Sequence, residues 1–246
     1  MVFDYWQERG GSDNREELPG WLDDMDASKP LYVFVSHSHK DHFNRRIFEF
    51  ADRFPHVRYL LSRETMRRCR HITSPSSVYN GPKVDADKVI GFSDGDSWSD
   101  GNISVHAFGS TDTGVSFMAE TDGRLIYHAG DNNAWLWLDE STAQEVAQAR
   151  RAFTAILDDI GAWLEGRRID VAFFPVDSRI GRGYYEGARE FVHRFDVGTF
   201  IPMHCGLGDP SEQRLRQHDA TQFNLYANGD RGQYIALFGD TDAIQL

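Results

Sequence analysis

A chain of 246 residues, 40% hydrophobic and 13% aromatic, is long enough to bury a substantial core, and the expectation is one domain over residues 1–246. Its formal net charge of −12 disfavours nucleic acid and anionic membranes as partners, because neither welcomes an acidic surface without a local basic patch. No apolar run reaches the ~18 residues that span a bilayer, no signal pattern opens the chain, and the two cysteines, Cys69 and Cys205, show no CxxC or zinc-knuckle spacing, so a reduced, cytoplasmic protein is expected.

In chain order, VFDYW behind Met1 looks like a strand already in progress, and residues 7–29, polar and rich in Gly and Asp, read as a loop bordering the active site. YVFVS is a buried strand that runs directly into HSHKDH. Phe43, Ile47, Phe50, Ala51 and Phe54 then recur at helical spacing, and VRYLLS alternates into the next strand. Arg63, Arg67, Arg68 and Arg70 form the one candidate basic patch, read as a solvated helix face. KVIGF, a GDSWSDG turn, ISVHAF, VSFMAE and RLIYHAG follow as short strands suggesting a second sheet. From Asp139 to Arg167, apolar residues fall every three or four positions, predicting a long amphipathic helix. VAFFPV, a helix over residues 184–195, GTFIPMH and QYIALF complete the chain.

HSHKDH is the most informative stretch. Alternation along a strand lets His37 and His39 point the same way, while Asp41 and His42 swing onto the following turn. Imidazoles and a carboxylate beyond a strand end suit Zn, Mn or Fe and leave room for water. Asp131 in AGDNN and His204 in FIPMHCG each follow a strand as well. His128 either joins the site or fills the core, and Cys205 is either a minor metal neighbour or a buried thiol.

These six residues resemble the HxHxDH signature of the metallo-β-lactamase superfamily, and Asp4, the GSTDTG loop at 109–114, Asp131 and His204 fit that family's motif order. The resemblance implies an α+β fold, a four-layer αββα sandwich, with the family's N-terminal β-hairpin, roughly 20–30 residues, missing ahead of Val2. It also implies two divalent metal ions, Zn or Mn first and Fe next. His37 and His39 go to one metal, Asp41, His42 and His204 to the other, and Asp131 bridges. Asp41 and Asp131 are the catalytic carboxylates, and Asp4 orients a ligand.

The chain departs from the family at 109–114, where many relatives supply a third histidine. Asp112 is favoured there over Ser110 because an ionised carboxylate is a better ligand than a hydroxyl, and the resulting oxygen-rich site tilts toward manganese or iron. Asp177 and Arg179, in FFPVDSRIGRG, are expected to bind substrate, with Asp177 also suited to orienting a histidine. Trp135, Trp137, Tyr184 and Tyr185 are candidate pocket walls. The activity implied is hydrolysis of a small-molecule ester, lactone or phosphoester. The alternatives are an iron-containing redox enzyme on the same fold and a non-catalytic metal-binding relic.

Overall fold

The motif-bearing strand, Leu31–Val35 (β2), is apolar at every position and buried at every position, as a strand covered on both faces of a parallel sheet must be. It belongs to a computed structural model that describes residues 1–6, 18, 20–204, 235–238 and 242–245. The chain divides into two compact units, Met1–Phe92 and Ser93–Leu246.

In the first unit β2 is flanked by Val2–Phe3 (β1) and Val57–Ser62 (β3), and Val89–Phe92 (β4) pairs with β3, all in parallel. Parallel neighbours need crossovers, and these have helical character. Between β2 and β3 the apolar spacing from Phe43 to Phe54 produces a 3₁₀ segment, Arg45–Asp52, started by the Asn44 side chain accepting from the Arg46 amide and burying Ile47, Phe48 and Phe50. Between β3 and β4 come two short helices, Arg63–Arg68 (α1), capped by Ser62, and Arg70–Thr73 (α2). This crossover places KVIGF in the first sheet beside β3, which corrects the expectation that it opens the second. Leu22, Val33, Val35, Phe50, Tyr59 and Leu61 form the core of this unit.

The second unit carries a six-stranded sheet. Ser97–Ser99 (β5), Ser104–Phe108 (β6), Ser116–Thr121 (β7) and Arg124–His128 (β8) form an antiparallel meander. Ile169–Pro175 (β9) and Val197–Met203 (β10) extend it in parallel from β8. The segment read as a GDSWSDG turn thus contains a short strand, because Trp98 and its neighbours pair with β6. Asp122-Gly123, both at positive φ, make the tight β7–β8 turn, a conformation for which Asp-Gly is suited.

The long amphipathic stretch is a 22-residue helix, Ala143–Leu164 (α3), which buries Phe153, Leu157, Ile160 and Leu164. Glu186–Arg194 (α4) links β9 to β10. Phe174, Phe191, Phe200 and Tyr127 pack ring against ring at 4.9–6.1 Å beneath them, and each fully buried aromatic contributes about 1.5–3 kcal/mol. Ile235–Phe238 (β11) and Asp242–Gln245 (β12) form an antiparallel pair. Two sheets with flanking helices are the topology of the αββα sandwich of metallo-β-lactamase type. Among the described residues, no helix is long and apolar enough to cross a membrane.

Candidate metal centre

In the first unit, the ligand-bearing loop leaves the carboxyl end of β2. The His42 and Phe43 amides both donate to the His39 carbonyl, at 3.2 and 3.0 Å, so the chain coils into a single turn that brings three imidazoles together. The ring of His37 lies 4.4 Å from that of His39 and 4.2 Å from that of His42. His37 and His42 are buried, His39 is exposed, and Asp41 is half-buried.

Asp4 organises this cluster from behind. Its carboxylate accepts from the Ser36 amide at 2.7 Å and from the Ser36 hydroxyl at 2.5 Å, and lies 2.7 Å from His42 Nδ1. With Nδ1–H of His42 directed at Asp4, its Nε2 keeps the lone pair a metal needs, and Asp41 Oδ2 stands 3.7 Å from that atom. The Ser36 hydroxyl lies 2.9 Å from His37 Nδ1 in the same fashion. Asp4, His37 and His42 bring a carboxylate oxygen and ring nitrogens within 4.8 Å of one another, with Asp4 engaged by His42 and Ser36. Ring nitrogens and carboxylate oxygens at this spacing fit a divalent metal of the Zn, Mn or Fe kind.

The second unit gathers its ligands by strand order. Because β8, β9 and β10 are parallel neighbours, their carboxyl ends lie side by side, and Asp131, Asp177 and His204 follow those three ends. His204 Nε2 is 3.0 Å from Asp131 Oδ1, and its Nδ1 is 3.3 Å from Asp177 Oδ2. Asp131 is 5% exposed and Asp177 is 1% exposed. Burial works to raise the Asp177 pKa, but hydrogen bonds from His204 and from Arg179 outweigh it and hold the carboxyl down at about 2. Arg179 grips Asp177 through Nε and Nη2, with Nη2 also 3.2 Å from His204 Nδ1. Asp177 thus stands behind His204 as Asp4 stands behind His42.

The other sequence candidates are placed as follows. Asp112 is exposed, and its amide donates to the Ser110 hydroxyl. Thr111 between them ties this loop to the segment after Asp131: its hydroxyl donates to the Asn133 carbonyl at 2.6 Å and accepts from the Asn133 amide at 3.0 Å. His128 is buried, and its Nδ1 accepts from the Gly130 amide. Tyr184 and Tyr185 pack edge to face. Cys205 and most of the loop over residues 7–29 lie outside the described residues.

Sequence reading overlooked Thr111, and it took Trp135 only as a pocket wall. The Trp135 indole N–H donates to the Asp131 carbonyl at 2.8 Å, and its ring meets that of His204 edge-on at 6.2 Å. Among the described residues, five that are not glycine have positive φ. Asp122 sits in a hairpin turn and Glu165 terminates α3, both ordinary places for it. The other three are Asp4, Trp135 and His204, all at the ligand clusters, and strain concentrated there is the mark of a site the surrounding fold holds in place.

No protein-family model and no curated protein matches the chain. Solved structures do. The chain is similar to CmlA, a diiron β-hydroxylase from Streptomyces venezuelae, with 16% identity and a TM-score of 0.56, over 99% of this chain and 50% of that one. It therefore spans about half the length of the hydroxylase. It is also similar to the metallo-β-lactamase fold protein YhfI from Bacillus subtilis, with 12% identity and a TM-score of 0.51, over 87% of this chain and 76% of that one. The fold is shared; the His and Asp clusters upon it have the donors to hold metal ions, which supports a metal-dependent enzyme in general terms.

Proposed function

We propose that this chain is a dinuclear member of the metallo-β-lactamase superfamily, one domain over residues 1–246, and that its metals are iron and its chemistry oxidative. The observation that carries this reading is the likeness to a diiron β-hydroxylase over 99% of the chain. The ligand chemistry agrees: with no histidine at 109–114, donors from that loop would be oxygen atoms of Ser110 or Asp112, which favour a harder metal than zinc. The candidate ligands are His37, His39, Asp41 and His42 in the first unit, and Asp112, Asp131 and His204 in the second. Bound iron would supply the capacity to activate dioxygen, one oxygen atom entering a substrate C–H bond and the other leaving as water with two electrons from an added reductant and two protons from solvent.

The chain's own residues do the remaining work. Asp4 and Asp177 keep His42 and His204 in the tautomer that presents Nε2. Arg179 has its side chain 65% exposed while Asp177 fixes its fork, so it is pre-oriented to receive an anionic group of a small-molecule substrate.

Hydrolysis of an ester, lactone or phosphoester is the second reading, favoured by the HSHKDH loop itself, with Asp41 and Asp131 as the carboxylates serving a metal-activated water. Protein loaded separately with Fe, Mn and Zn separates the two. Reductant-dependent oxygen uptake confined to the iron form supports the oxidative reading. Turnover of an ester, lactone or phosphodiester panel by the Zn or Mn form, with no oxygen uptake, overturns it. Asp112→Ala weakening metal binding more than Ser110→Ala places Asp112 in the ligand set; the reverse order assigns that position to Ser110.

A further inference from the structure

We infer that Trp135 is a positioning residue that fixes Asp131 beside His204 for metal uptake. The inference rests on the metal-binding reading above, whichever metal is bound.

A left-handed backbone at φ 47° is costly for a residue with a Cβ, on the order of 1–2 kcal/mol, and glycine would adopt it freely. The side chain must therefore do something there that glycine cannot. It folds back over its own loop so that Nε1–H meets the Asp131 carbonyl at 2.8 Å. That bond fixes the peptide plane following Asp131, and with it the direction of the carboxylate, while the indole and His204 rings stand edge to face 6.2 Å apart.

The rest of the loop is held at several points. Asn133 is tied to Thr111 through its backbone, its side chain accepts from the Ala134 amide, and Ala134 and Leu136 are buried. Gly187 presses so close that a Cβ there would lie 2.0 Å from Asn133 Oδ1 and 2.9 Å from the Ala134 amide nitrogen. With this floor held by hydrogen bonds and close packing, the indole hydrogen bond sets the one end that carries the ligand.

The test compares wild type, Trp135→Phe, Trp135→Gly and the distant helix-cap variant Thr142→Ala by competitive chelator titration with Zn and Fe, with melting temperatures of the metal-free proteins alongside. Loss of a group that orients a ligand weakens metal binding about 10–100-fold. The expected result is a loss of that size in Trp135→Phe, which keeps an aromatic ring but not the N–H donor, with Trp135→Gly at least as weak. A Trp135→Phe affinity within twofold of wild type, or a loss no larger than that of Thr142→Ala, overturns the positioning role while leaving the metal reading intact. A wild type that takes up no metal overturns both.

Discussion

The two units assemble ligands by opposite routes. In the first, four candidate ligands occupy six consecutive positions, and one tight turn at the end of β2 is enough to bring three imidazole rings within 4.4 Å along the chain of contacts. In the second, Asp131, Asp177 and His204 are dispersed over more than seventy residues of sequence and meet because three parallel strands end side by side. The histidine-rich loop is a product of local sequence; the carboxylate-rich cluster is a product of topology. Both routes converge on one device, an aspartate behind Nδ1 of a histidine, half-buried and 2.7 Å away at Asp4–His42, buried and 3.3 Å away at Asp177–His204.

The severest test of this contrast removes the local cluster. His37→Ala combined with His42→Ala deletes two of four donors contributed by one loop, and metal content measured by elemental analysis should fall from about two ions per chain to near zero. Unchanged stoichiometry would show that the loop is not the principal binding element. Asp4→Ala should come next. It leaves the ligands in place but takes away the acceptor of His42 and of both Ser36 donors, so metal affinity should drop about 10–100-fold. Stability should also fall by about 1–3 kcal/mol from the buried groups left behind. Asp4→Asn, which keeps an acceptor oxygen, should recover part of both losses.

The same contrast explains what could be read from the sequence. HSHKDH announced itself because its ligands are adjacent, and the strands β2, β3 and β6–β10 were legible from apolar patterning. KVIGF was assigned to the wrong sheet because pairing partners are set by the crossover through α1 and α2, which a pattern of four residues does not encode. Ser97–Ser99 was read as turn because Gly, Asp and Ser dominate its flanks, yet cross-strand pairing with β6 decides its state. Asp177 was legible as a strand-end acid beside Arg179 and suited to orienting a histidine, whereas which histidine it meets depends on the β9–β10 neighbourhood. The role of Trp135 had no sequence signal: a left-handed tryptophan is known only from its backbone.

Arg179→Ala probes the second route at a smaller scale. Burial alone would raise the Asp177 pKa, and the bonds from His204 and Arg179 hold it at about 2, below its ordinary 3.8. A carboxylate with a depressed folded pKa stabilises the protein fully above its unfolded value, near 4, and loses that contribution as the pH falls toward 2. Without Arg179 the folded pKa rises. The metal-free variant should therefore be less stable than wild type at pH 7, by on the order of 1 kcal/mol, with the difference shrinking as both proteins approach pH 2. Denaturant melts at pH 7, 4 and 2.5 measure it, and a difference that widens toward acid would mean Arg179 does not hold Asp177.

The smallest effect expected is also the control that gives the others meaning. α3 begins with a capping box: the Thr142 hydroxyl accepts from the Glu145 amide at 3.3 Å, and the Glu145 carboxylate accepts from the Thr142 amide at 2.8 Å. Thr142→Ala leaves the Glu145 amide without its acceptor, which costs about 1 kcal/mol, or about 2–4 °C in melting temperature for a chain of this size. The helix supports the second unit through Phe153, Leu157, Ile160 and Leu164, whereas Asp131, Asp177 and His204 are placed by strand ends. If the cluster is set by strand order, as its geometry implies, metal affinity in Thr142→Ala should stay within twofold of wild type by chelator titration. A larger loss of affinity would mean that the carboxylate cluster depends on the stability of the whole unit and that strand order alone does not place it.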